Sequence, residues 1–146
     1  MIALLQRVLK ASVMVDGMIV SEIGRGIVVF LGIEKQDTQK DAQYLVNKIS
    51  NLRIFEDGNG KMNLSVKDIN GEILIVSEFT LAGECKKGMR PSFDKAMNPE
   101  DAESLYKAFV GLMMQTGIPT KEGIFRSFMH VSLVNEGPVT FIIKSR

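Results

Sequence analysis

Ile27-Val28-Val29-Phe30-Leu31-Gly32-Ile33 is the stretch whose reading decides the fold. It is an unbroken apolar run rich in β-branched residues, set off by the Gly24-Arg25-Gly26 break just before it. A strand with one wet face alternates apolar and polar residues. A run without alternation reads as a strand covered on both faces. Upstream, Ala11 to Val20 reads as two strand pieces around Asp16-Gly17, a two-residue hairpin signal. Downstream the pattern changes period. Thr38 and Asp41 have capping-box spacing, and Ala42, Leu45, Val46, Ile49 and Leu52 form one helical stripe. Glu56 to Gly60 is a turn, and Met62, Leu64 and Val66 alternate as a half-buried strand. Asn70-Gly71 is then expected to close a hairpin onto Ile73-Leu74-Ile75-Val76.

A second helix is signposted at both ends. Asn98 is a good N-cap, Pro99 suits the first helical position, and Glu100 and Asp101 meet the positive end of the dipole. Leu105, Phe109, Leu112 and Met113 supply its apolar face, and Gly117 with Pro119 stops it. Val131 to Val134 and Val139 to Ile143 are strands flanking Asn135-Glu136-Gly137-Pro138. The order strands, helix, hairpin, helix, strands predicts an α+β fold. It is a largely antiparallel sheet or barrel-like core with two main helices, and too few helices alternate with strands for a doubly wound sheet.

Composition narrows the function classes. The 146 residues carry 18 Lys+Arg against 17 Asp+Glu, a net charge of +1, with 45% hydrophobic residues. That suits a single domain over residues 1–146, with no linker or repeat to divide it. One Cys allows no internal disulfide, and one His with one Cys builds no zinc centre, so no metal and no cofactor is expected. The N-terminal segment, Met1 to Arg7, is too short an apolar run for a signal peptide and lacks a basic leader. No stretch approaches a membrane span, so a cytoplasmic protein is expected. Near-neutral charge excludes a strongly electrostatic nucleic-acid binder but permits local contacts. Lys86, Lys87 and Arg90 form one basic patch, and Lys144 and Arg146 another.

Two phosphate-loop resemblances fail. Gly83 to Arg90 has Met-Arg where Lys-Ser/Thr is needed, and Gly24-Arg25-Gly26 lacks a third glycine. His130 reads as a structural or surface histidine, Cys85 as a surface thiol, and most of the nine Met as core filler. Two pieces remain. At Ser77-Glu78-Phe79-Thr80-Leu81 a very apolar strand ends in hydroxyls and a carboxylate, leaving its last amides free for an oxyanion or carbonyl. Thr80 is a possible nucleophile, but no general base is evident near it in sequence. The residues alone also allow a plain strand end with Thr80 bonded locally. Gly137-Pro138 alone reads as an ordinary tight turn.

Taken in order, several motifs carry a resemblance. They are Gln6-Arg7-Val8, Ala11-Ser12-Val13, Glu22-Ile23-Gly24, Arg53-Ile54-Phe55, Lys61-Met62-Asn63-Leu64, Ser77 to Leu81, Arg90-Pro91-Ser92-Phe93 and Asn135 to Thr140. Over essentially the whole chain this closely resembles the D-aminoacyl-tRNA deacylase family, usually called D-tyrosyl-tRNA deacylase. The related variant with Pro-Gln in place of Ser77-Glu78 fits less well. The resemblance implies a homodimer with active sites at the subunit interface, hydrolysing the ester between a D-amino acid and the 3′-terminal adenosine of tRNA. It implies that Gly137-Pro138 is cis and reaches into the partner's site, where its carbonyls read chirality, with Arg7 helping to hold it. Ser77, Phe79 and Thr80 are the implied catalytic segment, lining the ester with backbone. Glu78 is an implied substrate-binding residue, and Phe125 and Met129 line the adenosine pocket.

The family has Gln where this chain has Glu78. An ionised carboxylate is acceptor-only and repels an oxyanion, so Glu78 is expected either to point away from the ester or to be protonated by burial, the first being favoured because the motif works through its main chain. Two mechanisms follow from the resemblance. Thr80 attacks, or the protein only orients the ester while the RNA's terminal 2′-hydroxyl helps activate water. The second is favoured, because no base is evident for Thr80 and the ester is already reactive. Rejecting L-residues, rather than gripping D side chains, would let glycyl-tRNA be cleaved as well. The alternative reading is a non-catalytic nucleic-acid-binding dimer.

Overall fold

A computed structural model describes residues 1–146. The chain runs β1 (Ile2–Val15), β2 (Met18–Ile23), β3 (Gly26–Gly32), α1 (Gln39–Asn51), β4 (Phe55–Glu56), β5 (Met62–Leu64) and β6 (Glu72–Ser77). A short 3₁₀ turn (Phe79–Ala82), α2 (Pro99–Met114), β7 (Thr120–Glu122) and β8 (His130–Lys144) complete it. The main sheet runs β2-β1-β3-β6-β7, and β8 pairs with the other side of β1. All pairings of β1 are antiparallel, whereas β3–β6 and β6–β7 are parallel. The sheet curls until β2 nears β7. Lys121 Nζ donates to the Glu22 carbonyl at 2.8 Å and Ser21 Oγ donates to the Glu122 carbonyl, so side chains bridge the nearly closed barrel. No helix is long and apolar enough to cross a membrane.

β3 and β6 are covered on both faces, as the unbroken run predicts. Ile27, Val29, Leu31, Ile73 and Ile75 pack toward the two helices with Leu45, Ile49, Tyr106 and Phe109. Val28, Leu74 and Val76 face the barrel interior with Val8, Val13 and Ile23. Truncating any of these to Ala would cost about 3 kcal/mol. Tyr106 is buried, and its phenol donates to the Ile75 carbonyl at 3.1 Å, tying α2 to the strand that carries the site.

The turn at Asp16-Gly17 has positive φ at both residues (49° and 78°), as a two-residue hairpin requires. α1 begins where the capping box places it. The Asp41 carboxylate accepts from Thr38 N–H at 2.8 Å and Thr38 Oγ1 at 2.9 Å. Burial alone would raise the Asp41 carboxyl. Hydrogen bonds from Ser145 and Thr38, with the Arg146 charge, hold it instead at about 2, below the ordinary 3.8. Asn98 caps α2 by accepting from Asp101 N–H at 3.0 Å.

Three expectations change. The strand expected from Ala11 begins at Ile2, so the apolar opening is the first half of β1. The hairpin expected at Asn70-Gly71 does not form. β5 turns back through Asp57 to Gly60 onto β4, and β6 lies parallel between β3 and β7. A strand apolar on both faces needs a neighbour on each edge and cover above and below, which an outlying hairpin cannot supply. The two strands expected around Asn135–Pro138 are one strand, β8, with a bulge.

Candidate active site

The site begins where β6 stops. Ser77 pairs with Leu31 in the parallel ladder, and Glu78 N–H donates to the Leu31 carbonyl at 2.8 Å. The chain then tightens, with Leu81 N–H donating to the Glu78 carbonyl at 3.2 Å and Gly83 N–H to the Thr80 carbonyl at 2.9 Å. The amides of Phe79 and Thr80 precede the first bond of that turn, so neither has a partner within it. Gly32 makes the close approach possible. A Cβ there would lie 2.8 Å from Leu81 Cβ and 3.1 Å from the Glu78 carbonyl oxygen.

Beside this turn is a cavity of about 620 Å³. Leu31, Ile33 and Val76 contribute apolar wall, Ser77, Glu78 and Phe79 a polar end, and Phe125 to Met129 the opposite side. Phe79 packs edge-on to Phe93 with centroids 5.1 Å apart, and Phe125 lies 5.4 Å from Tyr106. Arg126 turns the opposite side at positive φ (65°), and Phe128 stands fully exposed on it. An apolar chamber beside a turn with unpartnered amides can seat a planar ring and stabilise charge developing on a carbonyl oxygen.

Thr80 does not line this cavity; it is exposed, and its hydroxyl donates to the Glu78 carboxylate. The acceptor not evident from sequence is thus only two residues away. Glu78 is half-buried, lines the cavity, and has its carboxylate engaged by Thr80.

Of the remaining sequence candidates, Gly137 and Pro138 lie on the β8 bulge and Arg7 on the facing part of β1. Gln6 pairs with Thr140 but Val8 pairs with Asn135, so five steps of β8 span two steps of β1. Asn135 Nδ2 closes the neck, donating to the Arg7 carbonyl at 2.9 Å and the Val139 carbonyl at 3.1 Å. Arg7 is buried at 4% exposure; its Nε donates to the Glu136 carbonyl at 2.9 Å and a terminal nitrogen to the Ile54 carbonyl at 2.7 Å. Arg25 grips the Glu136 carboxylate with two bonds of 3.0 Å, and both guanidinium groups lie over the Phe55 ring. The Gly137-Pro138 peptide is cis, and both residues are exposed.

Ser77, Glu78, Phe79, Phe125 and Met129 therefore meet at one cavity, with Thr80 beside it, while Gly137 and Pro138 form a separate projection outside its walls, held from beneath by the buried Arg7. Sequence reasoning missed Arg25, 111 residues from Glu136, and the Ala96-Met97 wall; no local pattern marks either. Of the basic candidates, Arg146 is occupied by Asp37 (2.6 Å) and Asp41 (3.2 Å), whereas Lys86, Lys87 and Arg90 are exposed. No group of three or more His, Cys, Asp or Glu side chains is placed to hold a metal.

Comparison with known proteins adds a separate line of evidence. The family model described as D-Tyr-tRNA(Tyr) deacylase matches residues 4–144. The chain is 68% identical over 146 residues, the whole of both chains, to a D-aminoacyl-tRNA deacylase of Thermodesulfovibrio yellowstonii. It is 58% identical over 144 residues to one from Geobacter sulfurreducens, covering 99% of this chain and 95% of that one. Among solved structures it matches the c-Myc DNA Unwinding Element Binding Protein with a TM-score of 0.93 and 46% identity, over 100% of this chain and 99% of that one. A probable eukaryotic D-amino acid tRNA deacylase shares the fold, with a TM-score of 0.83 at 17% identity over 97% of each chain.

Proposed function

The chain belongs to the D-Tyr-tRNA(Tyr) deacylase family, and from that premise we propose that it hydrolyses the ester of D-aminoacyl-tRNA, releasing free D-amino acid and tRNA. The observation that carries this reading is the cavity at the end of β6. It sets an apolar wall of Phe125 and Met129, suited to a terminal adenine, beside the turn at Phe79, where the amides of Phe79 and Thr80 have no partner. The ester carbonyl points at those amides, which strengthen their hydrogen bonds as charge builds on its oxygen. The terminal 2′-hydroxyl of the RNA helps activate water, and no cofactor enters. Thr80 is not the nucleophile in this reading: its hydroxyl has an acceptor in the Glu78 carboxylate, but it lies outside the wall of the cavity that seats the ester.

The working unit is a homodimer in the cytoplasm. Two observations support the dimer. β8 pairs only with β1, leaving a 15-residue strand with an open edge and exposed Val134, Phe141 and Ile142. Such an edge invites pairing. The Gly137-Pro138 projection also lies outside its own cavity, so it is free to complete a neighbour's. Delivered there, its carbonyls stand where the Cβ of an L-residue would go and accept the ammonium hydrogens of the substrate. Proline offers no amide in exchange. The site thereby rejects L-aminoacyl esters as a proofreading step and admits D-residues of any size, and glycine with them.

The test is incubation with D-tyrosyl-tRNA and measurement of released tyrosine. Turnover is expected. Binding of the RNA without turnover would favour the rival reading, a non-catalytic nucleic-acid-binding dimer, which gains its one specific support from the name of the DNA-unwinding-element relative.

A further inference from the structure

A hairpin arm beside the cavity has no part in the site described above. Glu84 and Ser92 form an antiparallel bridge, Glu84 N–H donating to the Ser92 carbonyl at 2.8 Å and Ser92 N–H to the Glu84 carbonyl at 3.0 Å. Every residue from Cys85 to Pro91 is exposed, and the tip turns at Gly88 with φ of 67°. The tip carries Lys86, Lys87 and Arg90 and no carboxylate. None of the three cations has an ion-pair partner within 4.0 Å, and Glu84 at the neck is taken by Lys95 at 3.2 Å.

Exposed lysines alone mean little, since most charged clusters are simply solvated. The base of this arm is what gives it direction. Phe93, the first residue past the bridge, packs edge-on against Phe79 at 5.1 Å, and the strand of chain that follows supplies Ala96 and Met97 to the cavity wall. The arm thus rises from the rim of the chamber. A polymer whose 3′ end is seated in that chamber must leave across the rim, and its backbone anions then pass a stalk bearing three unpaired cations.

We propose that the Cys85–Pro91 arm binds the phosphodiester backbone of the RNA just inside its terminal nucleotide. The inference rests on the proposed deacylase reading and deepens it. The arm supplies affinity for the polymer and takes no part in the chemistry, so its contribution is electrostatic, independent of base identity and weakened by salt.

The experiment compares the native protein with the Lys86→Ala/Lys87→Ala/Arg90→Ala variant on two substrates, D-tyrosyl-tRNA and the D-tyrosyl ester of adenosine, which has no phosphate. Every phosphate neutralised on a single strand adds about 0.7 to the slope of log affinity against log salt, so the variant's slope should be shallower by about 1.4 for two phosphates. On D-tyrosyl-tRNA the variant's KM should rise about tenfold with kcat unchanged, and on the adenosine ester nothing should change. Lys86→Arg/Lys87→Arg should keep the native slope. An unaltered slope, or an equal reduction on both substrates, overturns the arm's assignment. So does dissociation of an otherwise dimeric protein by the triple change, which would make the arm a subunit contact. If the native protein cleaves neither substrate, the deacylase reading fails. Salt titration of uncharged tRNA binding then still decides the arm, by the same change in slope.

Discussion

The turn after β6 and the bulge in β8 are both places where a strand is broken to offer backbone groups, and they are held by opposite means. The turn at Phe79–Ala82 follows a strand buried on both faces and leans on Gly32, so packing fixes it and free N–H groups are presented. The bulge at Asn135–Val139 interrupts an edge strand, and only Val139 at its end is buried, while Gly137 and Pro138 are exposed. It is fixed by hydrogen bonds from Asn135, the buried Arg7 and the half-exposed Arg25. A donor site for an oxyanion gains from a dry, apolar backing, where amide dipoles are least screened. An exposed projection has no such backing, and charged side chains brace it from behind.

The comparison breaks most visibly at Arg7. Arg7→Ala leaves the Ile54 and Glu136 carbonyls without their donors and should cost about 3 kcal/mol in urea unfolding. Arg7→Lys should recover little, because one ammonium cannot span both carbonyls as the guanidinium does. Full stability of Arg7→Ala would mean the bulge is not held by charge. On the packing side, Gly32→Val drives a side chain into the turn. It should lower kcat on D-tyrosyl-tRNA about 100-fold through misplacement of the amides, while the preference for D over L esters survives. Loss of that preference would mean the two regions are not separable.

Arg25 sharpens the contrast. Its pair with Glu136 is partly exposed, so Arg25→Ala should cost at most about 1 kcal/mol of stability. Its effect should fall on the D/L ratio, a few-fold, and the exchanged pair Arg25→Glu/Glu136→Arg should restore that ratio. No restoration would reduce Arg25 to surface charge. The smallest effect belongs to Thr80→Ala, whose activity should stay within about tenfold of native. A loss near a thousandfold, or a trapped acyl-enzyme, would make Thr80 the nucleophile.

What could be read from the sequence follows from how local each signal is. The β3 run, the caps at Thr38 and Asn98 and the Asp16-Gly17 turn each depend on neighbours within a few residues, and each appears where expected. Asn70-Gly71 misled because a turn signal does not specify the strand's partner. β6, apolar on both faces, finds β3 in parallel across the intervening helix. In the site, Ser77 to Thr80 was legible because those residues adjoin in the chain. Of the opposite wall, Phe125 and Met129 entered only through family resemblance, and the Arg25–Glu136 brace through neither, since nothing in either segment points to the other.

The central claim is that the bulge selects by exclusion, and side-by-side deacylation of D-tyrosyl-, glycyl- and L-alanyl-tRNA at equal enzyme concentration tests it most directly. Glycine has no Cβ, so a wall that blocks the L position has nothing to strike. D-tyrosyl- and glycyl-tRNA should both be cleaved at substantial rates while L-alanyl-tRNA survives. If glycyl-tRNA survives as well as L-alanyl-tRNA does, selection is by contact with the D side chain, and the wall does not exist.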